Sequence, residues 1–409
     1  MSLLSRGLTV SAAGLFVASL SAQGPTSNLW TTPPLPINAL SSTSYDASIA
    51  YCLGGTQAWI TSQRPGAGSY DLYWATRANS TAPWNPPVLS ALSTTGAEFF
   101  ADITEDGTEL VFAFSPTAGL GDLMLATRTN VLADFAANSA VAIATLNTAS
   151  DEGDPSFSND ALELYFQSDR AGGTQNAIWR ATRPNRQSPF GNAVLVSDTA
   201  NLDHSPAISA SDNYLYHSVF LGGANSDYHG LYRPTKGSSF TSPVVISEWA
   251  NVNWDANGQF ERADSVFVLV SNNTGWGGLA SSSVYESPRL VPGLAADRDS
   301  VSGSTGGTFS ITSCETPANP FGFHLHLMTF STLPTAVPVP GIVGELYLNP
   351  SLLFVINSGP TGPTDGYFTT SLSVPPGTPS GARLHFQAVG IDLVTLALTL
   401  STHESVGIN

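Results

Sequence analysis

The stretch DEGDPSFSNDALELYFQSDRAGG, residues 151–173, decides the fold. It holds two short apolar segments, PSFS and LELYFQS, and the turn signals SND and DRAGG. Short runs rich in aromatic and aliphatic residues, bounded by Gly, Asn and Asp, predict β-strands joined by tight turns. The stretch therefore predicts the core of an antiparallel sheet, provided that it is one unit of a larger pattern.

A related segment does recur along the chain. Its copies end in a basic residue, and those residues are spaced by 51 to 55 positions. The copies are DLYWATR (71–77), DLMLATR (122–128), AIWRATR (177–183), GLYRPTK (230–236) and SVYESPR (283–289). Such even spacing indicates a structural repeat, with Arg77, Arg128, Arg183, Lys236 and Arg289 as one column.

Two further columns have the same period. An aromatic residue precedes a short apolar segment at Trp30, Trp84, Phe135, Phe190 and Phe240. The opening stretch itself aligns with SYDASIA (44–50), EFFADIT (98–104), DHSPAIS (203–209) and DANGQFE (255–261). A period near 50 residues with about four strands per unit predicts a β-propeller, in which each sheet packs between two neighbours.

The ends of the repeat predict how the ring closes. The first aromatic segment (29–40) precedes any complete repeat, and the fifth basic segment has no such segment after it. An N-terminal strand that completes the last blade would remove the exposed edge. We therefore predict an all-β protein with a five-bladed propeller over residues 24–290, and a degenerate sixth blade within 291–305 is the alternative.

At this point the third copy resembles the WD40-like β-propeller repeat of the TolB type. The second copy keeps only EDG (105–107) of that pattern, and the first has SQR (62–64). The resemblance covers residues 24–290 and implies a propeller that serves as a binding platform for varied ligands. The matching residues are Asp151, Glu152, Pro155, Phe157, Ser158, Asp160, Phe166, Ser168, Asp169, Arg170 and Gly172.

The composition of the chain changes after Arg289, and the repeat ends there. Residues 291–307 are rich in small residues and are predicted to form a linker. Residues 308–409 contain six or seven alternating runs divided by Pro and Gly, which predicts a β-sandwich domain. The segment 364–389 is similar to a C-terminal module of secreted proteins from environmental bacteria, a likeness that implies no activity.

The N-terminus predicts export. Arg6 precedes an apolar run from Leu8 to Leu20 and a small-residue stretch, so residues 1–22 are predicted to be a signal peptide. A buried N-terminal helix is the alternative. No later segment has 18 unbroken apolar residues, so no membrane insertion is expected after its removal, and the protein is expected to be secreted or periplasmic.

Charge limits the partners. The chain has 14 basic and 31 acidic residues and a net charge of −17, which disfavours nucleic acid and anionic lipid surfaces. Protein, glycan or cation ligands remain. The two cysteines, Cys52 and Cys314, would form a disulfide after export or remain buried thiols. The oligomeric state is not predicted.

Four carboxylates are the candidate ligand-binding residues. Glu98, Glu152, Asp203 and Asp255 align at the start of the innermost strands, with Ser44 in the first copy. Facing a common channel mouth, they would bind a polar ligand or Ca²⁺, the only cofactor considered. The alternative is that each accepts backbone N–H groups of its own turn or pairs with an arginine.

The leading hypothesis is a secreted, non-enzymatic binding or scaffold protein, with no catalytic residue assigned. The alternative is an extracellular glycoside hydrolase, for which Asp46, Asp154 and Glu261 are the available acids. No nucleophile elbow, P-loop, Rossmann glycine pattern or CxxC pair is present.

Other candidates have a functional and a structural interpretation. Histidines are predicted as metal ligands or as ordinary strand residues, and tryptophans as sugar platforms or as packing between blades. The histidines are His204, His217 and His229 in the fourth repeat, and His324, His326, His385 and His403 in the C-terminal domain. His324 and His326 are expected to lie on a solvated strand face. The tryptophans are Trp59, Trp74, Trp179 and Trp276.

Overall fold

The structure is a computed structural model, and it describes most of the chain from Trp30 onward. The predicted signal peptide lies outside the described residues. The described residues are 30, 33–79, 82–116, 121–171, 176–197, 202–222, 225–233, 236–246, 249, 255–261, 266–273, 276, 278, 282–288, 293–296, 300–314, 322–338, 345–360, 367–392 and 398–409.

Within these residues, five antiparallel sheets of four strands each follow the sequence repeat. The chain begins with β1 (Leu35–Pro36), which belongs to the last of them. The first sheet holds β2 (Asp46–Cys52), β3 (Gln57–Ser62), β4 (Asp71–Thr76) and β5 (Val88–Leu89), and the second β6 (Ala97–Ile103), β7 (Glu109–Ser115), β8 (Asp122–Thr127) and β9 (Val141–Ala142). The third holds β10 (Glu152–Phe157), β11 (Glu163–Ser168), β12 (Ala177–Thr182) and β13 (Val194–Ser197). The fourth holds β14 (Leu202–Ile208), β15 (Tyr214–Gly222), β16 (Asn225–Tyr232) and β17 (Val244–Val245), and the fifth β18 (Asp255–Glu261), β19 (Val266–Ser271), β20 (Ser283–Pro288) and β1.

The sheets form a closed ring, which makes this part of the chain a β-propeller. The innermost strands contact one another in the order β2, β6, β10, β14 and β18, and β18 contacts β2. The predicted N-terminal closing strand is present, because Leu35 pairs with Glu286 and Pro36 with Tyr285. This pairing covers the edge of β20 that would otherwise present unpaired backbone groups.

Packing between neighbouring sheets buries most residues of the second strand of each sheet, including its polar ones. All six residues of β11 and of β19 are buried, since each sheet has a neighbour on both faces. One core cluster joins the first and fifth sheets directly, with Ile49 and Tyr51 against Val268 and Val270.

The basic column and the aromatic column of the sequence meet within each of the first four sheets, and Arg289 of the fifth lies outside the described residues. The arginine guanidinium lies over the aromatic ring, and its Nε donates to a backbone carbonyl of the turn between the first and second strands of the sheet. The ring-centroid distances are 4.1 Å for Arg77 and Trp84, 4.6 Å for Arg128 and Phe135, 4.6 Å for Arg183 and Phe190, and 4.8 Å for Arg233 and Phe240.

The fourth member of the basic column is therefore Arg233, and its assignment to Lys236 is wrong. Arg233 follows β16 directly and is fully buried, whereas Lys236 lies three residues further on and contacts Asp160 and Asp212 at 2.8 and 3.0 Å. Lys236 fitted the repeat in the sequence because it lies 53 residues after Arg183. Burial and the contact with Phe240 select Arg233.

The C-terminal unit consists of two main sheets around a shared core and one two-stranded sheet. A three-stranded sheet (β21-β23-β28) and a five-stranded sheet (β22-β30-β29-β24-β27) bury Phe309, Ile311, Phe386 and Val406 between them. Its strands are β21 (Gly293–Ala296), β22 (Ser300–Val301), β23 (Gly307–Cys314), β24 (Gly322–Thr329), β25 (Thr332–Pro338), β26 (Glu345–Leu348), β27 (Phe354–Pro360), β28 (Tyr367–Val374), β29 (Arg383–Asp392) and β30 (Leu398–Ile408), with a short 3-10 helix at Pro350–Leu352.

The predicted linker over 291–307 is corrected by these strands. β21 pairs with β23, and β22 pairs in parallel with β30. The residues read as a linker because they are small, yet Leu294 and Ala296 are buried in the core of the C-terminal unit. Asn159 Nδ2 also donates to the Ala296 carbonyl at 2.5 Å, so a turn of the third sheet contacts β21.

No helix within the described residues has the length and apolar character needed to cross a membrane.

Candidate functional site

The predicted acidic column lies at the start of the inner strands. Glu98, Glu152 and Asp203 are fully buried. Asp255 begins β18, but its side chain lies outside the described part. Glu98, Glu152 and Asp203 are not among the described residues that line the cavity at the centre of the ring.

In the first sheet, the column position is occupied by Asp46 and not by Ser44. Asp46 pairs with Ser62, just as Glu152 pairs with Ser168 in the third sheet. The sequence analysis had aligned Ser44, two residues earlier, with the acidic column.

The contacts of these carboxylates are those of turn-binding groups. In three sheets, the carboxylate accepts hydrogen bonds from the backbone N–H and the hydroxyl of the residue four positions before it. The hydroxyl bonds are Ser42 to Asp46 (3.0 Å), Thr94 to Glu98 (2.6 Å) and Thr148 to Glu152 (2.6 Å). These contacts favour the structural interpretation, and ligand or calcium binding by the column stays a prediction.

The Ser-Asp-Arg motif completes the same arrangement. Arg170 donates from its backbone N–H and Nε to Ser168 and forms an ion pair of 3.1 Å with Glu152. Arg64 makes the equivalent ion pair with Asp46 at 2.8 Å. The motif therefore holds a turn against the inner strand.

The residues that line the axis lie two positions after the acidic column. They are Ser48, Phe100, Asp154, Ser205 and Asn257, one from each sheet, and all five line a narrow cavity on the axis with room for about one water molecule. Each inner strand has a β-bulge near this point, which turns its side chains toward the axis.

Four of the five ring residues have a left-handed backbone. Their φ angles are 57° for Phe100, 46° for Asp154, 53° for Ser205 and 51° for Asn257. Such angles are uncommon for residues other than glycine and cost free energy unless the surroundings impose them. Non-glycine residues at these positions indicate that the side chains themselves matter to the axial cavity.

Asp154 is the only carboxylate that lines the cavity among the described residues. Its Oδ2 accepts from the backbone N–H of Ser205 (3.0 Å) and lies 2.8 Å from the Ser205 hydroxyl. Its Oδ1 is buried and has no hydrogen-bond partner in the described structure. Burial raises the pKa of Asp154 to about 7, the backbone N–H of Ser205 opposes that rise, and the nearby charge of Asp151 adds to it.

The donors and acceptors around Ser205 also indicate a raised pKa for Asp154. Asn257 Nδ2 donates to the Ala47 carbonyl at 2.6 Å, so Asn257 Oδ1 faces the Ser205 hydroxyl at 2.5 Å and accepts its only proton. The contact between Ser205 Oγ and Asp154 Oδ2 then needs a proton from Asp154. The neutral carboxylic acid satisfies this chain, which a carboxylate does not.

A second layer of side chains closes the axis beneath this ring. Ser156 of the third sheet donates to Gln259 Oε1 of the fifth sheet at 2.9 Å, and Gln259 Nε2 donates to the Pro155 carbonyl at 3.5 Å. The third and fifth sheets are not neighbours in the ring, so these bonds span the axis. The cavity is therefore a closed-bottomed depression.

Four aromatic side chains form a rim beside the cavity. Tyr45, Tyr70, Phe99 and Phe100 are all partly exposed, and consecutive rings lie 6.3, 5.9 and 5.3 Å apart between centroids. The charge of Asp154 contributes to the raised pKa of Tyr45, after desolvation and Tyr70, so the rim lies close to that carboxylate.

The sequence analysis did not predict this rim, and it named Asp154 only as one of three acids available to a glycoside hydrolase, without placing it on the axis. The available signal was variation inside a repeated column: Phe99 and Phe100 stand where the third repeat has Gly153 and Asp154. A scaffold position that differs between copies points to a local role, whereas the conspicuous repeated acids are structural.

The tryptophan candidates are mainly packing residues. Trp59 is fully buried and stacks on Trp74 at 6.1 Å between centroids. Trp179 donates to the Ser168 carbonyl at 3.1 Å. Trp276 is partly buried and packs edge-on against Tyr285.

The histidines of the fourth repeat do cluster, without forming a metal centre. His217 is fully buried, its Nδ1 lies 3.8 Å from Asp203, and its ring lies 6.0 Å from that of His229. Burial lowers the pKa of His217 to about 3 and that of His204 to about 4. Among the described residues, no three His, Cys, Asp or Glu side chains have an arrangement that would hold a metal ion.

The expectation of a solvated face for His324 and His326 is wrong. Both are buried, because the three-stranded sheet covers that face of β24. Ser313 Oγ contacts His324 Nδ1 at 2.5 Å and His326 Nε2 at 2.7 Å, and Thr370 Oγ1 contacts His326 Nδ1 at 2.7 Å. The side chain of His403 lies outside the described residues.

Both cysteines are free thiols. Cys52 lies in the core of the propeller and Cys314 in that of the C-terminal unit. The structure therefore selects the buried-thiol interpretation.

The sequence matches no family model and no curated protein. Solved structures to which the chain is similar include TolB from Acinetobacter baumannii, with 14% identity, a TM-score of 0.39, and coverage of 61% of this chain and 56% of that one. An endo-arabinase from Bacteroides thetaiotaomicron has 12% identity, a TM-score of 0.44 and coverage of 62% and 96%. The catalytic domain of a GH62 α-L-arabinofuranosidase from Coprinopsis cinerea has 11% identity, a TM-score of 0.41 and coverage of 64% and 98%. This chain thus spans little more than half the length of that TolB, and these likenesses favour no function.

Proposed function

We propose that this protein is an extracytoplasmic, non-enzymatic recognition platform that binds a protein or glycan ligand at the mouth of the propeller. The finer architecture is part of the proposal: five blades in all over residues 24–290, followed by a β-sandwich domain, with export directed by residues 1–22. No cofactor, nucleic acid or membrane insertion is included.

The observation that carries the proposal is the aromatic-rimmed, closed-bottomed depression on the axis. Tyr45, Tyr70, Phe99 and Phe100 supply partly exposed apolar surface. Asp154, Ser205 and Asn257 supply a few polar groups behind it. A mostly apolar concavity with a few convergent polar groups is the usual form of a ligand site.

A glycoside hydrolase is the competing candidate, and Asp154 is the observation that favours it. A carboxyl whose pKa is raised to about 7 is suited to act as a general acid. Hydrolysis needs a second carboxylate roughly 5 to 9.5 Å away across the substrate. Asp154 is the only carboxylate lining the described cavity, which supports the binding function instead.

A glycan array with a parallel assay for released sugar distinguishes the two. It uses the chain from residue 23 onward, the variants Asp154→Asn and Tyr70→Leu, and Asp122→Asn as a control at an exposed aspartate of β8. Retention without release, weakened by the first two variants only, supports a glycan platform. If the protein is not retained on any glycan, the ligand is inferred to be a protein. Sugar release that Asp154→Asn abolishes refutes the proposal.

A further inference from the structure

We propose that the depression around Asp154 receives an alkylammonium group, the side chain of a lysine on a protein partner, with Asp154 as its counter-ion and the aromatic rim as its wall. This inference rests on the proposed binding function and names the chemistry of its ligand.

The unused acceptor of Asp154 is the first argument. Ser205 occupies Oδ2, while Oδ1 is buried and accepts no hydrogen bond from any described residue. An acceptor left unpaired in the interior costs free energy, and a charged one costs more. An ammonium group has three donors and would satisfy this oxygen while compensating its charge.

The charges around the cavity are the second argument. Lysine and arginine are absent from the residues that line it. The groups that face Asp154 are Asp151 on its own segment, Tyr45 from the loop before β2, and His204 from β14. His204 is neutral above about pH 4, because burial lowers its pKa. The nearest carboxylate, Asp151, increases the attraction for a cation.

The arginines close to the start of these strands do not supply the missing charge. Arg64 is held by Asp46 and Arg170 by Glu152, each through an ion pair behind the ring. Above pH 7, where Asp154 ionises, the site is therefore a locally anionic depression in a protein that is already strongly acidic, and such a field attracts cationic groups.

The rim is the third argument. Aromatic faces attract ammonium groups through their quadrupole, most strongly where water is excluded. Phe100 belongs both to the rim and to the cavity lining, so a cation at Asp154 would lie beside aromatic carbon. The cavity has room for about one water molecule, so rim side chains must shift to admit a ligand, and an unbranched alkyl chain needs a smaller opening than a sugar ring, which favours lysine over an amino sugar.

Entry requires some movement of the rim. Asp154 Oδ1 is shielded from solvent, so lining side chains must shift for a donor to reach it. We therefore expect binding to be slower than diffusion allows and to shift NMR signals of the rim residues.

The test is titration of the purified chain with Nα-acetyl-lysine amide, followed by calorimetry and NMR. The neutral analogue Nα-acetyl-norleucine amide and glucosamine are the comparison probes. At pH 8, Asp154→Asn is expected to weaken lysine binding by about tenfold or more and Tyr70→Leu by a few fold. Asp122→Asn, which removes the same charge from an exposed site, is expected to change it less than twofold. Thermal unfolding of each variant confirms that it is folded.

The pH dependence provides a second readout. Because ionised Asp154 is the binding form and its pKa is about 7, affinity for the lysine probe should fall by up to about tenfold per pH unit below 7. In Asp154→Asn this dependence should be absent.

Four results overturn the inference: no binding of the lysine probe, equal binding of the norleucine probe, stronger binding of glucosamine, or an affinity that Asp154→Asn leaves unchanged. The first two, combined with glycan retention on the array, would remove this inference and leave the binding function standing. Sugar release would instead remove the binding function itself.

Discussion

The sharpest consequence of the structure concerns Asp154 and the pH dependence of stability. The ordinary pKa of this side chain, 3.8, is raised to about 7 in the folded protein. Folding therefore favours the protonated form. Stability associated with this group is fully present below pH 3.8 and is lost as the pH rises through 7. A shift of about three units, at about 1.4 kcal/mol each, makes the ionised group cost about 4 kcal/mol at pH 8.

Asp154→Asn removes that cost without removing the side chain. An amide nitrogen cannot accept the N–H of Ser205, so the variant will have a constant offset relative to the parent. The prediction therefore concerns the change of the difference with pH. Between pH 4 and pH 8, the variant should gain about 4 kcal/mol in free energy of unfolding relative to the parent. Asp102 also has a pKa of about 7, but it contributes equally to both proteins and cancels.

Urea denaturation followed by tryptophan fluorescence is the appropriate assay. All eight tryptophans lie before residue 277, so the signal reports the propeller and not the C-terminal unit. Parallel stability curves for parent and variant from pH 4 to pH 8 would refute the reasoning. A difference that grows in the opposite direction would refute it as well.

Three further predictions concern the scaffold. Arg183 is buried and forms an ion pair with Glu109 of the preceding sheet. Arg183→Met should therefore lower the free energy of unfolding, measured by urea denaturation, by about 3 to 5 kcal/mol, and adding Glu109→Gln should recover much of that loss. A loss below about 1 kcal/mol would contradict the buried pair. Trp30 packs on the fifth sheet and donates to Tyr216 at 3.1 Å, so Trp30→Ala should cost about 3 to 5 kcal/mol by the same measurement, and a loss typical of a surface residue would show that the N-terminal segment does not close the ring. Thiol titration should find no reactive cysteine in the native protein and two after unfolding without reductant, whereas fewer than two would indicate a disulfide between Cys52 and Cys314.

The repeat could be predicted from the sequence because equivalent residues make the same local contacts in each sheet. A basic residue and an aromatic residue recur at fixed offsets, and a Ser-x-Arg turn occurs in the first and third copies, since each makes the same contacts within its own sheet. Arg64 and Arg170 show this, because both bind the serine and the carboxylate of their own repeat. Local contacts of this kind leave a periodic signal.

Some local assignments still needed the structure. Lys236 fitted the spacing of the basic column, but only burial against Phe240 identifies Arg233. Residues 293–296 look like a linker, and only the pairing of β21 with β23 reveals their place in a core. The histidine pair on β24 has strand alternation, but the sheet that covers it decides that it is buried.

The sequence by itself determined the class of fold, the repeat, and the strand that closes the ring. Only the tertiary structure decided the candidate site. Its ring takes one residue from each of five strands that lie about 50 positions apart, and these residues meet because the ring closes and the β-bulges turn them toward the axis. Ser48, Phe100, Asp154, Ser205 and Asn257 share no residue type that would mark them as a column. Their proximity is a property of the closed ring, and no local pattern in the chain encodes it.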